Sequence, residues 1–125
     1  MEAPALDLDR EWVRGAAPLA VLTLLAEGDL YGYALVEALE ARSGGLLELG
    51  QSTVYPLLYS LESRGLVSPV RRSAPSGKVR KYYRITQAGR EWLASQRSQW
   101  RTLVTAMHRL GVDPDAPRPA GEALA

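Results

Sequence analysis

The stretch QSTVYPLLYSLESRGLVSPVRRSAPSGKVRKYYRI, residues 51–85, decides the fold. In its first part, apolar side chains recur at i, i+3, i+4 and i+7, the spacing of a helix buried on one face: Val54, Leu57, Leu58 and Leu61. After Gly65 the pattern changes to that of a strand over residues 66–70, a turn over residues 73–77 and a returning strand over residues 79–85. The stretch therefore predicts a helix followed directly by a β-hairpin.

Two helices are predicted before this stretch. The first covers residues 9–27 and is apolar nearly all round, with Asp9 as its N-cap and Gly28 as its stop. Pro18 either kinks this helix or marks the start of its regular part, and we favour the kink. The second helix covers residues 31–42 and stops at a Ser-Gly-Gly sequence.

A long helix is predicted after the hairpin, from an N-cap at Thr86 to about Leu110, with Gly111 at the C′ position. The order helix, helix, turn, helix, hairpin is that of a winged helix-turn-helix, in which the third helix enters the DNA major groove. We therefore expect a mostly α fold with a small β-hairpin. Residues 9–86 are expected to form the DNA-binding domain, residues 87–111 a dimerisation helix, and residues 1–8 and 112–125 flexible or disordered tails.

Composition excludes several classes of protein. The chain has 125 residues, enough for one core, no cysteine and one histidine, His108, so disulfides and Cys-based zinc sites are excluded and no cofactor is expected. The longest nearly apolar run, residues 16–26, is shorter than the ~20 residues that span a bilayer. The first residues lack the basic segment of a signal peptide, so we expect a cytoplasmic protein.

Charge is distributed unevenly. The chain has 15 basic and 14 acidic residues, yet residues 68–90 contain seven basic residues and no acidic one: Arg71, Arg72, Lys78, Arg80, Lys81, Arg84 and Arg90. On charge alone a solvated basic hairpin is the alternative to a polyanion partner. Its position after a helix that begins with small polar residues favours a polyanion partner, because helix N-termini and hydroxyls suit phosphate and base-edge contacts together.

The start of the third helix carries the candidate base contacts. Gln51, Ser52 and Thr53 lie at the end expected to enter the groove, and Gln can bind adenine through two hydrogen bonds. Tyr55 lies one turn further on, where its ring can contact a thymine methyl and its hydroxyl a phosphate. Tyr59 is better explained as packing under the hairpin.

Four motifs resemble those of the PadR family of bacterial regulators. They are LYGYAL at 30–35, QSTVYPLL at 51–58, LESRGLV at 61–67 and RKYYRITQAG at 80–89, and the resemblance covers residues 13–110. It implies a homodimer that binds an inverted-repeat operator in double-stranded DNA and usually represses, with an effector that releases DNA in some members.

The resemblance also assigns roles to residues. Thr53 and Tyr55 match the recognition-helix motif, while positions that touch the DNA backbone match Tyr33, Lys78, Arg80 and Lys81. Tyr82 and Tyr83 match a structural pair whose side chains point to opposite faces of a strand, so at least one should pack against the third helix. The family commonly has His at the position of Tyr31.

The fourth helix predicts dimerisation independently of the family. A heptad seam that is apolar at five of six sites is formed by Leu93, Gln96, Trp100, Leu103, Met107 and Leu110. Two-fold symmetry would place the recognition helices about one DNA turn apart, roughly 34 Å.

Trp100 matches a position that, in short multidrug-sensing members of the family, lines a pore where flat hydrophobic compounds insert. The simpler interpretation, which we favour, is that Trp100 fills the dimer core together with Leu103 and Met107. Trp12 is expected to pack against the partner subunit's fourth helix.

Two other classes of function compare poorly with a DNA-binding repressor. An enzyme would need a cluster of His, Cys or paired carboxylates, which this sequence lacks. A winged-helix adaptor that binds protein would not need the basic hairpin.

Overall fold

The structure, a computed structural model, describes residues 8–117; most of the two predicted tails, residues 1–7 and 118–125, lies outside this range. The elements in chain order are α1 (Arg10–Leu25), β1 (Leu30–Tyr31), α2 (Gly32–Arg42), α3 (Gln51–Ser63), β2 (Val67–Ser73), β3 (Val79–Ile85) and α4 (Gln87–Leu110). The predicted winged helix-turn-helix with a long C-terminal helix is confirmed. The chain divides into two compact units between Leu93 and Ala94.

The predicted N-caps of the first and fourth helices are confirmed by their hydrogen bonds, whereas α1 ends at Leu25, before the predicted stop at Gly28. Asp9 Oδ1 accepts from the Glu11 N–H at 3.0 Å, and Thr86 Oγ1 accepts from the Gly89 N–H at 3.0 Å. At the end of α4, Gly111 has a φ of +77°, which favours glycine because a Cβ is strained there. Helix α1 runs unbroken through Pro18, so Pro18 does not mark its start.

The sheet has three strands in the order β1-β3-β2, all antiparallel, whereas the sequence predicted only the hairpin. Strand β1 pairs Leu30 with Tyr83 and Tyr31 with Tyr82, which makes β3 the central strand. Both tyrosines of β3 are consequently buried: Tyr83 lies in the main core, and Tyr82 is covered on the other face of the sheet by Tyr31 and Arg72. Two residues are too few to show an alternating pattern, so the sequence gives no signal for β1.

The core lies among the first three helices, the sheet and the start of α4. Its fully buried side chains are Tyr83, Leu22, Leu25, Leu35, Leu58, Leu61, Val21 and Val54. Leu93 also belongs to this core, with 2% of its surface exposed, so the prediction that it contributes to a dimer seam is wrong.

The start of α4 is locked against the end of α3. A Cβ added at Gly89 would overlap the Leu66 carbonyl oxygen, so only glycine permits this approach. The Thr86 hydroxyl donates to the Gly65 carbonyl at 2.7 Å, while Gly65 itself has a φ of +74°. These contacts fix the hairpin between the two helices.

Candidate nucleic-acid interface

The N-termini of α2 and α3 differ from those of α1 and α4. Helices α1 and α4 are capped by the side chains of Asp9 and Thr86. The N-cap residues of α2 and α3 are Tyr31 and Gly50, and neither makes a side-chain capping bond. Within residues 8–117, the first N–H groups of α2 and α3 thus receive no capping bond from their N-cap side chains, and such groups bind phosphate oxygens favourably.

The predicted base-contacting residues lie at the start of α3. Gln51, Ser52 and Thr53 are all exposed, while Val54 behind them is fully buried. This arrangement presents one amide and two hydroxyls to a ligand on a helix that the core holds firmly.

Tyr55 connects the starts of α2 and α3. A Cβ added at Gly32 would lie 2.5 Å from Tyr55 Cε1 and 2.6 Å from its hydroxyl oxygen, so the half-buried ring lies directly on the first residue of α2. Gly32 is therefore a positioning residue that sequence reasoning missed. The signal was present in the LYGYAL motif, where the glycine precedes Tyr33, which is 49% exposed on the first turn of α2.

Lys81 ties the wing, the hairpin of β2 and β3, to α3. Its Nζ lies 3.4 Å from Glu62 Oε1 and over the rings of Tyr59, at 5.5 Å, and Tyr83, at 5.2 Å. Burial works to lower the pKa of Lys81, but the Tyr83 hydroxyl and the Glu62 carboxylate outweigh it, and the net pKa is raised. Lys81 is therefore a charged group partly compensated by Glu62. Tyr59 contacts the wing through Lys81, as expected for packing there, yet is 56% exposed.

Three of the seven basic residues of segment 68–90 form ion pairs: Lys81 with Glu62, and Arg72 and Arg84 with Asp29. Arg80 lies 4.6 Å from the ring centroid of Tyr31. Four residues form no ion pair within residues 8–117: Arg71, Lys78, Arg80 and Arg90. Because the three paired cations share two carboxylates, Asp29 and Glu62, five of the seven positive charges of this segment remain uncompensated.

Lys78 lies at the tip of the wing, in the turn between β2 and β3. The Ala74 N–H donates to the Lys78 carbonyl at 2.7 Å, and Gly77 has a φ of +87°. This closed turn holds the Lys78 backbone in place while its side chain is exposed.

Residues 94–110 of α4 form an exposed apolar stripe. The predicted dimer-core side chains are exposed to 53% for Trp100, 48% for Leu103 and 38% for Met107, and Val104 and Leu110 extend the stripe. Trp12 on α1 is also exposed, to 73%. Within residues 8–117, no helix is long and apolar enough to cross a membrane, and no group of side chains is suited to hold a metal ion.

The helix-turn-helix with an open recognition-helix start and a basic wing defines the class of winged-helix transcriptional regulators. The family described as "Transcriptional regulator PadR-like family" matches residues 21–95, so the chain belongs to the PadR family and is a transcriptional regulator. The resemblance of the four sequence motifs is thereby confirmed.

Relatives and solved structures agree with this family. A transcriptional regulator of Mycobacterium tuberculosis is 36% identical over 88 residues, which is 70% of this chain and 78% of that protein. A PadR family regulator from Eggerthella lenta is 38% identical with a TM-score of 0.69, covering 80% of this chain and 85% of that one. A PadR-like regulator from Bacillus cereus is 25% identical with a TM-score of 0.73, covering 80% and 95%.

Proposed function

We propose that this regulator is a cytoplasmic repressor that binds an inverted-repeat operator in double-stranded DNA as a homodimer. The observation that carries the proposal is the exposed, uncapped start of α3, a helix whose later turns contact a wing with uncompensated positive charge. A helix N-terminus and cations together attract phosphates, and side chains on the same turn can read base edges.

The interface divides into two sets of side chains. Bases are contacted from α3 by Gln51, Ser52, Thr53 and Tyr55. The phosphate backbone is contacted by Tyr33, Lys78, Arg80 and Lys81. Lys78 and Arg80 contribute the most charge, because Lys81 is compensated by Glu62.

The homodimer forms through residues 94–110 of α4. An apolar stripe this long, left exposed by its own chain, is stabilised by pairing with a second copy. Two-fold pairing also explains an inverted-repeat operator, because protein and DNA then share the same symmetry.

We propose, as a second role of the dimer centre beside the simpler filling of the core by Trp100, that it binds a planar hydrophobic effector. The exposed indole of Trp100 supports this, with Leu103 and Met107 on the same stripe. The exposed Trp12 is proposed to pack against the partner subunit's fourth helix. Titrating tryptophan fluorescence with a panel of planar compounds separates this role from simple filling of the dimer core. A response that is lost in Trp100→Ala supports the effector, and the absence of any Trp100-dependent response contradicts it.

Fluorescence anisotropy tests DNA binding directly, with an operator selected from fragments of the source genome and a scrambled duplex, each at several salt concentrations. The wild type should lose affinity steeply with salt. Lys78→Ala should weaken binding to both duplexes and reduce the log–log salt slope by about 0.9. Gln51→Ala should lower operator affinity at least about fivefold, with little change on the scrambled duplex.

Two results would contradict the proposal. Salt-independent binding would remove the electrostatic basis of the interface and favour a protein-binding adaptor. If Gln51→Ala lowers affinity for both duplexes equally, α3 does not recognise bases through this side chain.

A further inference from the structure

Asp29 lies in the turn between α1 and β1, outside the wing, yet it holds both wing strands. Its Oδ2 accepts hydrogen bonds from Arg84 Nε at 3.1 Å, from Arg84 Nη2 at 2.9 Å and from Arg72 Nη1 at 3.2 Å. Arg72 belongs to β2 and Arg84 to β3. The Asp29 side chain is only 15% exposed, whereas both arginines remain about half exposed. One largely shielded carboxylate thus binds an arginine from each strand of the wing.

The strand register places these two ion pairs on the face of the sheet opposite to Lys81. Ser68 pairs with Arg84 and Arg72 with Arg80, so Arg72, Arg80 and Arg84 share one face because side chains alternate along a strand. Lys81 and Tyr83 point to the other face, where Lys81 meets Glu62 of α3. The wing is therefore attached to the domain body on both of its faces.

Aromatic rings complete the layer on the Asp29 face. Arg72 lies 4.1 Å from the ring centroid of Tyr82, and Arg80 lies 4.6 Å from that of Tyr31. The Tyr31 and Tyr82 rings meet edge to face with their centroids 5.3 Å apart. Because Tyr31 follows Asp29 by two residues, the short segment of residues 29–31 both binds the arginines and stacks on the sheet.

We propose that Asp29 is a positioning residue that sets the orientation of the wing and withholds Arg72 and Arg84 from DNA phosphates. Phosphate contacts raise affinity for every sequence alike, and a guanidinium already paired to a carboxylate contributes less to them. Phosphate contacts also fix the register of a protein on the duplex, so the wing orientation that Asp29 sets favours the operator and raises the ratio of operator affinity to non-specific affinity. This inference rests on the proposed DNA binding, but part of its test does not need DNA.

Asp29→Asn tests the inference, with Glu27→Gln as the matched control. Glu27 lies two residues away and pairs with Arg42 of α2 at 2.7 Å, so both variants change the charge equally but only Asp29→Asn frees wing arginines. Relative to the control, Asp29→Asn should bind a scrambled duplex about 3–10-fold tighter at low salt, with a log–log slope steeper by about one to two. Its operator-to-scrambled affinity ratio should be at least about fivefold smaller. Ratios within twofold of each other and equal slopes would overturn the proposal.

Hydrogen exchange measures the positioning role without DNA. Amides of residues 67–73 and 79–85 should exchange at least about threefold faster in Asp29→Asn than in Glu27→Gln, since local opening governs exchange. If Asp29→Asn does not fold, Arg72→Gln, which keeps the Arg84 pair, should still accelerate exchange in residues 67–73. If the variants fold and the amides of these strands exchange at the wild-type rate, the proposal is overturned. If exchange is faster in Asp29→Asn but the wild type does not bind DNA, the proposed function is contradicted. The positioning of the wing by Asp29 is then still supported.

Discussion

Helix α3 and residues 94–110 of α4 are both amphipathic, but their apolar stripes have different environments. Val54, Leu58 and Leu61 of α3 are fully buried by their own chain, whereas Trp100 and Leu103 are about half exposed. The same helical spacing of apolar residues therefore has two meanings. In α3 it fixes the helix that presents the candidate base contacts, and in α4 it leaves a surface that needs a partner.

The largest expected effect is on stability, from removing a buried side chain of α3. Leu58→Ala should lower the free energy of unfolding by about 2–5 kcal/mol, because it leaves a cavity in the core. Urea denaturation followed by circular dichroism measures this. Leu103→Ala, the same change on the exposed stripe, should lower stability only to the extent that dimers dissociate on dilution. If Leu103→Ala lowers the free energy of unfolding equally, at every protein concentration, then the stripe of α4 is buried by its own chain and the difference from α3 is wrong.

The next effect concerns assembly. Leu103→Asp places a charge in the apolar stripe and should convert dimers to monomers in sedimentation velocity, with operator affinity reduced at least about 100-fold, because unpaired buried charge is costly. Ser98→Asp adds the same charge on the opposite side of the helix and should remain dimeric. A dimer that survives Leu103→Asp would show that the stripe is not the seam.

A pair of glycine substitutions sharpens the account of how α4 begins. Gly89→Ala should lower stability by about 1–3 kcal/mol, since its Cβ has no room beside the Leu66 carbonyl. Gly15→Ala in α1 meets no atom within 4 Å and should raise stability by about 0.4–1 kcal/mol through reduced freedom of the unfolded chain. Thermal melts of the two variants that shift in the same direction would contradict this packing.

The smallest expected effect is a loss of folding stability at alkaline pH. Burial raises the pKa of Tyr83 above 10.0, and the pKa of Lys81 is raised above 10.5, where Tyr83 and Glu62 outweigh burial. In each case the folded state holds its proton to higher pH than the unfolded state, so the stabilisation is present below pH ~10 and is lost as the pH rises further. Denaturant melts between about pH 9 and about pH 11.5, a range that spans the ordinary pKa values of Tyr and Lys, should show a shallower decline in stability for Tyr83→Phe than for the wild type. Identical slopes would exclude a contribution from Tyr83.

Local features of the fold were predictable from the sequence, because capping residues, glycines and alternation act over a few residues. Asp9, Thr86, Gly111 and the strand over residues 79–85 follow from such signals. Strand β1 was missed because two residues show no period, and Leu93 was assigned to the seam because a heptad pattern does not distinguish the chain's own core from a partner.

The electrostatics of the wing could be predicted only in part. The sequence shows the cluster of cations, but Asp29 meets Arg72 and Arg84 from 43 and 55 residues away. Nothing local to either segment indicates such pairing. The contact of Tyr55 with Gly32 was missed for the same reason.

One titration tests DNA recognition by α3 and dimerisation through residues 94–110 of α4 together. The wild-type protein is titrated against a duplex with two operator half-sites and against the same duplex with one half-site scrambled, with the mass of each complex measured by analytical ultracentrifugation. We predict one dimer on the intact operator and an affinity at least about 100-fold lower when one half-site is lost, since each mismatched base pair costs about 1–3 kcal/mol. A monomer bound with equal affinity to both duplexes would contradict the account.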